Sequence, residues 1–173
     1  MRLDTERLIL RPLEPGDAED IHAVYSDAST FEYLASEPSE SIEETREVIA
    51  RVERRLRERG LALGAVVERA SGRVIGDCGL QHLEGGEQVE VGYRMGREYR
   101  GRGYTTEAVR AWLSYGLETL GLDRIVAVAK PENRASTRVM EKAGMTFVGP
   151  GHYYGADTVV YAITRAERAT PAG

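Results

Sequence analysis

The sequence predicts a mixed α/β (α+β) fold in which helices cover both faces of one mostly antiparallel central sheet. Three strand-like runs, at 63–68, 74–80 and 89–95, are separated by short glycine-containing turns, which is typical of an antiparallel meander. A helix-patterned segment and a continuous apolar run at 124–129 follow the meander. Strand, helix and strand therefore form a βαβ unit, whose two strands are expected to be parallel neighbours.

The N-terminal segment is predicted to contain one strand and one helix. Leu8-Ile-Leu10 is a short apolar run that Pro12 ends, because proline cannot donate a hydrogen bond to a neighbouring strand. Asp17 precedes apolar residues at helical spacing from Ala18 to Ala28. We therefore expect Asp17 to cap a helix that buries this apolar face.

A second helix is predicted between Ser41 and Gly60. Ser41 and Glu44 match the capping-box pattern, and Gly60 is a typical helix stop. The face opposite the apolar stripe carries arginine and glutamate at mixed spacing over 51–59. We interpret that face as solvated and held by local ion pairs, with a site for an acidic partner as the alternative.

The C-terminal part is predicted to alternate helices and strands. One helix spans 105–120, and a shorter helix, which Asn133 caps, spans 134–143. Runs at 147–148 and 158–163 give the last strands.

Composition favours an ordinary globular protein. Hydrophobic residues make up 42% of the chain and charged residues 29%. No linker or internal repeat divides the sequence, so we expect a single domain at 1–164 and a frayed C-terminal tail at 165–173.

Charge and motif content argue against several classes of protein. The net charge of −5 is opposite to that of a non-specific nucleic-acid binder, so no DNA binding is expected. The N-terminus lacks the pattern of a signal peptide and no apolar run is long enough to cross a membrane, which predicts a cytoplasmic protein without membrane contact. Cys78 is the only cysteine, and no cluster has metal-ligand spacing, so neither a disulfide nor a metal site is expected.

The stretch Glu98-Tyr-Arg-Gly-Arg-Gly-Tyr-Thr-Thr-Glu107 is the strongest functional signal. Gly101 and Gly103 let the backbone approach a ligand, and a predicted helix starts directly after them. Free N–H groups at a helix start bind anions, so a phosphate or pyrophosphate is expected here. A surface turn with two solvated arginines is the alternative. The stretch lacks the Gly-Lys-Ser/Thr ending of a P-loop, which argues against a nucleotide-phosphate enzyme.

Six motifs follow one another along the chain: Thr5-Glu-Arg-Leu-Ile-Leu-Arg-Pro12, Val91-Gly-Tyr93, Arg100-Gly-Arg-Gly-Tyr-Thr-Thr-Glu-Ala108, Asn133-Arg-Ala-Ser136, Glu141-Lys-Ala-Gly-Met145, and Asp157 with Tyr161. Together they resemble the Gcn5-related N-acetyltransferase (GNAT) superfamily, and most closely its ribosomal-protein N-terminal acetyltransferase (Rim-type) branch. Arg100 and Gly103 match the family's loop pattern. Thr105 stands where the family has a small residue, and is expected to narrow the loop.

The resemblance implies that acetyl-CoA binds at a splayed pair of parallel strands, with its pyrophosphate on the loop. It implies that a backbone N–H near Tyr93 polarises the thioester carbonyl, and Gly92 inside the same strand indicates a bulge or a close backbone approach. The predicted cofactor-binding residues are Gly92, Tyr93, Arg94, Met95, Arg100, Gly101, Arg102, Gly103, Tyr104, Thr105, Asn133 and Ser136.

The resemblance further implies direct attack by a neutral amine on the thioester, without a covalent enzyme intermediate. Glu90 is the first candidate for the general base and His82 the second. Ser136 is expected to donate a proton to the CoA thiolate. Cys78 lies within a predicted strand and is interpreted as a core residue. Alternatives stay open for each: a surface carboxylate, an exposed histidine and a helix-start serine.

The acceptor is predicted to be a protein or peptide N-terminal α-amine. An α-amine has a pKa of about 7.7 to 8.0 and lysine about 10.4, so an indirect base suits the former. Polyamines, amino acids and antibiotics remain alternatives, as does a non-catalytic acyl-CoA-binding module; the chain is expected to be a monomer or homodimer. Two groups of residues are expected near the acceptor: the acids Glu32, Glu37, Glu40 and Asp157, which attract a cationic amine or are merely solvated, and the tyrosines Tyr153, Tyr154 and Tyr161.

Overall fold

The computed structural model describes residues 1–169 and contains eight strands and six α-helices. The strands are β1 (Leu3–Asp4), β2 (Leu8–Pro12), β3 (Leu63–Glu68), β4 (Val74–His82), β5 (Val89–Met95), β6 (Arg124–Ala129), β7 (Thr146–Tyr153) and β8 (Ala156–Thr164). The helices are α1 (Ala18–Tyr25), α2 (Ala28–Phe31), α3 (Ile42–Arg59), α4 (Tyr104–Ser114, continued by a π-helical turn, Tyr115–Thr119), α5 (Arg134–Lys142) and α6 (Arg165–Ala169). None of the helices in residues 1–169 is long and apolar enough to cross a membrane.

All strands belong to one sheet, in the order β1-β2-β3-β4-β5-β6-β8-β7. Every neighbouring pair in the described chain is antiparallel except β5 and β6, which run parallel and share one register pair, Glu90 with Val126. β5 pairs with β4 along its whole length, from Val89 to Met95. Beyond Glu90, the edge of β5 that faces β6 is therefore unpaired. The mixed, mostly antiparallel sheet with a parallel, splayed pair is confirmed.

Apolar layers cover both faces of the sheet. On one face, Leu113 of α4 packs in a cluster with Val91 of β5. On the other face, Ile21 of α1 and Ile49 of α3 pack with Val67 of β3. Because successive side chains of a strand alternate between faces, neighbouring residues of β5 belong to different layers.

The predicted first helix is divided in the structure. α1 ends at Tyr25, and Asp27 caps the separate helix α2 by accepting a hydrogen bond from the N–H of Ser29 at 2.9 Å. The prediction that Asp17 caps α1 is wrong, because its carboxylate instead accepts hydrogen bonds from the Arg11 guanidinium at 2.7 Å and from a backbone N–H in the preceding turn. The Arg11 guanidinium therefore binds the Asp17 carboxylate in place of the N–H groups at the start of α1.

The C-terminal prediction needs a correction. The segment 165–169, expected to fray, forms α6, because the side chains of Thr164 and Glu167 cap it reciprocally: the Thr164 N–H donates to Glu167 at 2.8 Å and the Glu167 N–H donates to Thr164 at 3.2 Å. The rest of the predicted tail, 170–173, lies outside the described residues.

Candidate active site

The glycine loop (residues 100–106) leads into α4 and presents free backbone donors. Within residues 1–169, the N–H groups of 101–106 have no hydrogen-bond acceptor, and the first helical N–H with one is that of Glu107, which donates to the Gly103 carbonyl at 3.0 Å. Gly101 and Gly103 adopt left-handed φ angles of 72° and 83°. Such a row of donors at a helix start can bind a phosphate or pyrophosphate.

Arg100 braces the loop with its side chain. Its Nε donates to the Met95 carbonyl at 2.9 Å, and its two terminal nitrogens donate to the hydroxyls of Ser29 at 3.1 Å and Thr30 at 2.8 Å. The guanidinium thus ties the loop to β5 and α2. Met95, another predicted cofactor residue, buries its side chain in the α4 core layer, so only its backbone lies at the loop.

Tyr104, the first residue of α4, also supports the loop. Its ring is buried, its hydroxyl donates to Glu68 at 2.5 Å, and the Arg7 guanidinium lies 4.4 Å from the ring centroid. Arg7 also donates to the Arg102 carbonyl at 2.9 Å, whereas the Arg102 side chain is exposed. The Arg102 guanidinium lies 5.1 Å from the Tyr104 ring centroid and donates no hydrogen bond within residues 1–169, so its donors can contact an anion.

Two further predicted cofactor residues lie at helix starts. Asn133 caps α5, since its side-chain oxygen accepts from the Ser136 N–H at 3.1 Å, which confirms the capping prediction. Thr105 is half-buried in the first turn of α4.

The structure places the side chain of Arg94 away from α4. It lies on the α1 face of the sheet, where its Nε donates to both carboxylate oxygens of Asp77 at 3.0 and 3.1 Å, and its guanidinium stacks 4.5 Å from the Tyr25 ring centroid. Asp77 is fully buried and also accepts from the Tyr25 hydroxyl at 2.7 Å. This buried ion pair leaves the Arg94 side chain unavailable to a cofactor near α4.

Gly92 does not form the bulge that its position in the strand suggested. The register between β4 and β5 runs without a shift through Gly79 and Gly92. A Cβ at Gly92 would lie 3.1 Å from Cδ2 of Leu63. The close approach is therefore to a β3 side chain across the sheet.

Tyr93 and Ser136 form a hydroxyl pair next to the unpaired edge of β5. Their oxygens lie 2.8 Å apart, and the Tyr93 hydroxyl also donates to the Ser136 carbonyl at 3.2 Å. Burial raises the pKa of the Tyr93 hydroxyl above its ordinary value. Cys78, opposite Tyr93 in β4, is fully buried, and burial raises the pKa of its thiol well above the usual range, which confirms it as a core residue.

Glu90 is a buried carboxylate at the point where β5 and β6 meet. It is 4% exposed, and its Oε1 accepts hydrogen bonds from Gln81 at 2.8 Å and from the Tyr154 hydroxyl. Its Oε2 has no partner in the described part of the chain. Burial raises the pKa of Glu90, an effect that the two donors partly offset. A carboxylate with a raised pKa is a better base near neutral pH.

A cleft of about 560 Å³ opens beside Glu90 and is called the α3 cleft. Residues from α3, β4, the turn after β4 and the β7–β8 hairpin line it: Arg51, Arg54, Arg55, Glu58, Arg59, Gln81, His82, Glu84, Gly85 and Tyr154. His82 is one of these residues, and its Nδ1 is buried without a hydrogen-bond partner among residues 1–169. Both candidate bases therefore belong to one neighbourhood, whereas the acids expected near the acceptor do not line the cleft.

Glu90 and Tyr93 point to opposite faces of β5, because they are separated by an odd number of positions. Glu90 faces the α3 cleft through Gln81 and Tyr154, while Tyr93 faces α5 through Ser136. An amine on one face and a leaving thiolate on the other would therefore meet different polar groups.

The comparisons with known proteins agree with this geometry. The family described as "Acetyltransferase (GNAT) domain" matches residues 7–146. The chain belongs to the GNAT acetyltransferase family. Two Bacillus relatives are similar to it: "Uncharacterized N-acetyltransferase YoaA" of B. subtilis, 34% identical over 94% of this chain and 96% of its own length, and "Uncharacterized N-acetyltransferase p20" of B. licheniformis, 32% identical over 80% and 78%. A GNAT acetyltransferase from B. anthracis has a solved structure with a TM-score of 0.83 and 29% identity, covering 96% of this chain and 99% of that one.

Membership establishes the coarse chemistry. As a GNAT acetyltransferase, the protein is an N-acetyltransferase that uses acetyl-CoA as co-substrate. One structural neighbour is RimL, a ribosomal L7/L12 α-N-protein acetyltransferase whose structure was solved in complex with coenzyme A. Its TM-score is 0.80 at 18% identity, so the similarity shows the fold alone.

The sequence alone does not single out three neighbours of Glu90, namely Gln81, Tyr154 and Glu84. Gln81 gives no signal in the sequence, and Tyr154 was one of three equivalent tyrosines. Glu84 and Tyr154 adopt left-handed φ angles of 50° and 55°, and the Tyr154 N–H donates to the Glu84 carboxylate. Left-handed non-glycine residues are uncommon and concentrate at functional sites, but φ angles are not visible in a sequence.

Proposed function

We propose that this GNAT acetyltransferase transfers the acetyl group to a primary amine by direct attack, and that the acceptor is a protein or peptide N-terminal α-amine. The observation that carries the proposal is the buried carboxylate of Glu90, which lies where β5 and β6 separate and borders the α3 cleft through two of its lining residues. A base in this position can act on an amine in the cleft next to a thioester held between the strands.

In this proposal acetyl-CoA lies along the glycine loop and the unpaired edge of β5, away from the α3 cleft. The free N–H groups of 101–106 suit the pyrophosphate. The unpaired edge of β5, from Val91 to Met95, suits the pantetheine arm, because alternate backbone groups along that edge lack a partner strand. A free N–H of this edge near Tyr93 would polarise the thioester carbonyl.

The proton transfers follow from the two faces of β5. The acceptor ammonium loses a proton to Glu90, directly or through the Tyr154 hydroxyl or water, and the neutral amine attacks the thioester carbon. The C–N bond forms, the C–S bond breaks, and the thiolate takes a proton from the hydroxyl pair of Tyr93 and Ser136. The new amide nitrogen releases its surplus proton, which returns through water to that hydroxyl pair, and Glu90 gives its proton to solvent before the next turnover. His82 is the reserve base, because its Nδ1 has no other partner in the described chain.

The α-amine is favoured by the ease of its deprotonation. Its pKa lies about 2.5 units below that of a lysine amine, which makes the neutral form about 3 to 4 kcal/mol easier to reach. Relatives carry both kinds of name: "Putative ribosomal N-acetyltransferase YdaF" of B. subtilis is 27% identical, and "Spermidine N(1)-acetyltransferase" of E. coli is 25% identical. A small-amine acetyltransferase is therefore the second candidate.

Thiol release with a panel of amines tests the proposal. Acetyl-CoA is mixed with the protein and with N-terminally free peptides, N-terminally blocked lysine peptides, spermidine or amino acids. Mass spectrometry then locates the acetyl group. We expect the fastest thiol release with free peptides and acetylation of their α-amine. Tight acetyl-CoA binding without thiol release for any acceptor would instead support the non-catalytic module.

A further inference from the structure

The charges on the α3 cleft point to the chemistry of the acceptor. Arg51, Arg54, Arg55 and Arg59, here called the arginine wall, line the cleft from one helix. Their spacing of three, four and eight positions from Arg51 places them on one side of α3. The protein as a whole carries a net charge of −5, so this positive wall departs from its general charge.

The arginines of the wall form no ion pair within residues 1–169, although the charge of Arg55 partly offsets the effect of burial, which raises the pKa of Glu90. Along α3 the only ion pair within residues 1–169 joins Arg46 to Glu43, outside the cleft. Arg55 donates to the side-chain oxygen of Gln81 at 3.1 Å and Arg59 to the carbonyl of Gly85 at 2.6 Å, both neutral acceptors. The expectation that local ion pairs neutralise this helix face is therefore wrong for the residues of the wall.

The acids of the cleft do not balance the wall. Glu84 and Glu58 are the lining acids in the described chain, and the Glu84 carboxylate already accepts the Tyr154 N–H. Neither forms an ion pair with the wall. Unpaired guanidinium groups bind carboxylates with two parallel hydrogen bonds, whereas they repel a polycation.

The wall adjoins the proposed base. Gln81 receives the Arg55 hydrogen bond through its oxygen and donates to Glu90 through its nitrogen at 2.8 Å. The side chain of Gln81 thus connects Arg55 of the arginine wall to Glu90. A short acceptor whose amine reaches Glu90 would place its next few groups along the arginines.

We propose that the acceptor of this enzyme is an amine that carries carboxylate groups, which the arginine wall binds while the amine faces Glu90. The inference rests on the proposed N-acetyl transfer and narrows its acceptor class. An acidic N-terminal peptide and a free acidic amino acid share this chemistry. Spermidine does not.

The test compares acceptors matched in everything except charge. Initial rates of thiol release are measured at low salt with a peptide beginning Ser-Glu-Glu-Asp, a peptide beginning Ser-Gln-Gln-Asn, free glutamate and spermidine. We expect kcat/KM to be about 10-fold higher for the acidic peptide than for the neutral one, and the ratio to shrink as salt screens exposed charges. A faster rate with free glutamate would assign the carboxylates to a small molecule.

Variants connect the preference to the wall. Arg51→Gln with Arg54→Gln should abolish most of the preference and leave the Kd for acetyl-CoA unchanged. Arg57→Gln is the matched control, because Arg57 lies on the same helix but outside the cleft lining. Equal rates for acidic and neutral peptides, a best rate with spermidine, or a weakened Kd for acetyl-CoA in the double variant would overturn the inference.

Failure of the proposed function gives a different result. If no amine releases thiol, fluorescence anisotropy with the acidic peptide labelled at its C-terminus still tests the wall in the presence of CoA. Binding that the double variant loses would uphold the charge inference while acetyl transfer fails. Equal binding by wild type and double variant, or none by wild type, would overturn the charge inference as well.

Discussion

The glycine loop offers backbone donors from one continuous stretch, whereas the α3 cleft offers side chains from four separate elements. In the loop, φ angles of 72° and 83° at Gly101 and Gly103 hold the row of free N–H groups. In the cleft, Glu90 depends on Gln81 and Tyr154, each from a different part of the chain. The loop offers a cofactor its backbone donors, and side chains such as Arg100 hold its conformation, whereas the chemistry of the cleft depends directly on individual side chains.

The loop and the cleft should also respond to different kinds of substitution. Backbone donors are lost only when the chain conformation changes, so the loop should respond to strain at glycine. The cleft should respond to single-atom changes that alter the charge or the proton affinity of Glu90. Substitutions in and near each region test this division, beginning with Arg94, which lies between Glu90 and the glycine loop along the chain.

Arg94→Met is expected to have the largest effect, and on stability. It leaves the fully buried Asp77 carboxylate without its cationic partner and with only the Tyr25 hydroxyl as a donor, which should lower the free energy of unfolding by about 3 to 5 kcal/mol in urea titrations. Arg97→Met, an exposed arginine with no ion pair in the described chain, is the control. If the folded Arg94→Met variant bound acetyl-CoA 10-fold more weakly or worse, Arg94 would belong to the cofactor site.

Glu90→Gln is expected to lower kcat by about 10²- to 10³-fold and leave the Kd for acetyl-CoA unchanged. Only the deprotonated carboxylate is a base, so the wild-type rate should rise with pH through the raised pKa of Glu90, and the variant should lose that rise. A variant with the wild-type pH profile would transfer the role to His82 or to solvent.

The same variant should be more stable at neutral pH. Because burial raises the pKa of Glu90 in the folded state, the unfolded chain loses this proton first as the pH rises above the ordinary value of 4.5. As the pH rises from 4.5 to the raised pKa of Glu90, the free energy of unfolding of the wild type therefore falls relative to that of Glu90→Gln. Thermal unfolding should give similar Tm values at pH 4 and a higher Tm for the variant at pH 8.

Gly103→Val is expected to weaken acetyl-CoA binding by about 10- to 100-fold, since a branched residue at a φ of 83° is strained by about 1 to 3 kcal/mol and its Cβ would approach Arg7 at 3.2 Å. Isothermal titration measures this. Gly72→Val imposes similar strain at a φ of 71°, in the turn between β3 and β4, and should leave the Kd unchanged. Equal Kd values for wild type and Gly103→Val would remove the loop from the site.

Tyr154→Phe is expected to have the smallest effect, a loss of about 10-fold in kcat at neutral pH. Removing a donor to the carboxylate raises the pKa of Glu90 further, so the acid limb of the pH–rate profile should move to higher pH. Tyr153→Phe, in the same hairpin, has no hydroxyl hydrogen bond within residues 1–169 to lose and serves as the control. An unmoved acid limb would mean that Tyr154 does not tune the base.

The sequence predicted what is local and left out what is distant. Glycine spacing marked the loop, and the Asn133 cap and most strand boundaries followed from periodicity. The sequence also indicates the position of Arg94, which shares strand parity with Glu90 and not with Tyr93, so its side chain is expected on the face of β5 opposite Tyr93. Gln81 and the arginine wall meet Glu90 only through tertiary packing, so no pattern in the sequence assigns them to the site.

The central claim is that binding of acetyl-CoA depends on the glycine loop, whereas deprotonation of the acceptor amine depends on Glu90, which lies on the face of β5 opposite Tyr93. The most direct test is the dependence of the initial thiol-release rate on acetyl-CoA concentration for wild type, Gly103→Val and Glu90→Gln, measured with one saturating peptide. We predict that Gly103→Val raises KM for acetyl-CoA by about 10-fold or more with kcat nearly unchanged, and that Glu90→Gln lowers kcat with KM nearly unchanged. Both variants changing kcat and KM by similar factors would contradict the division.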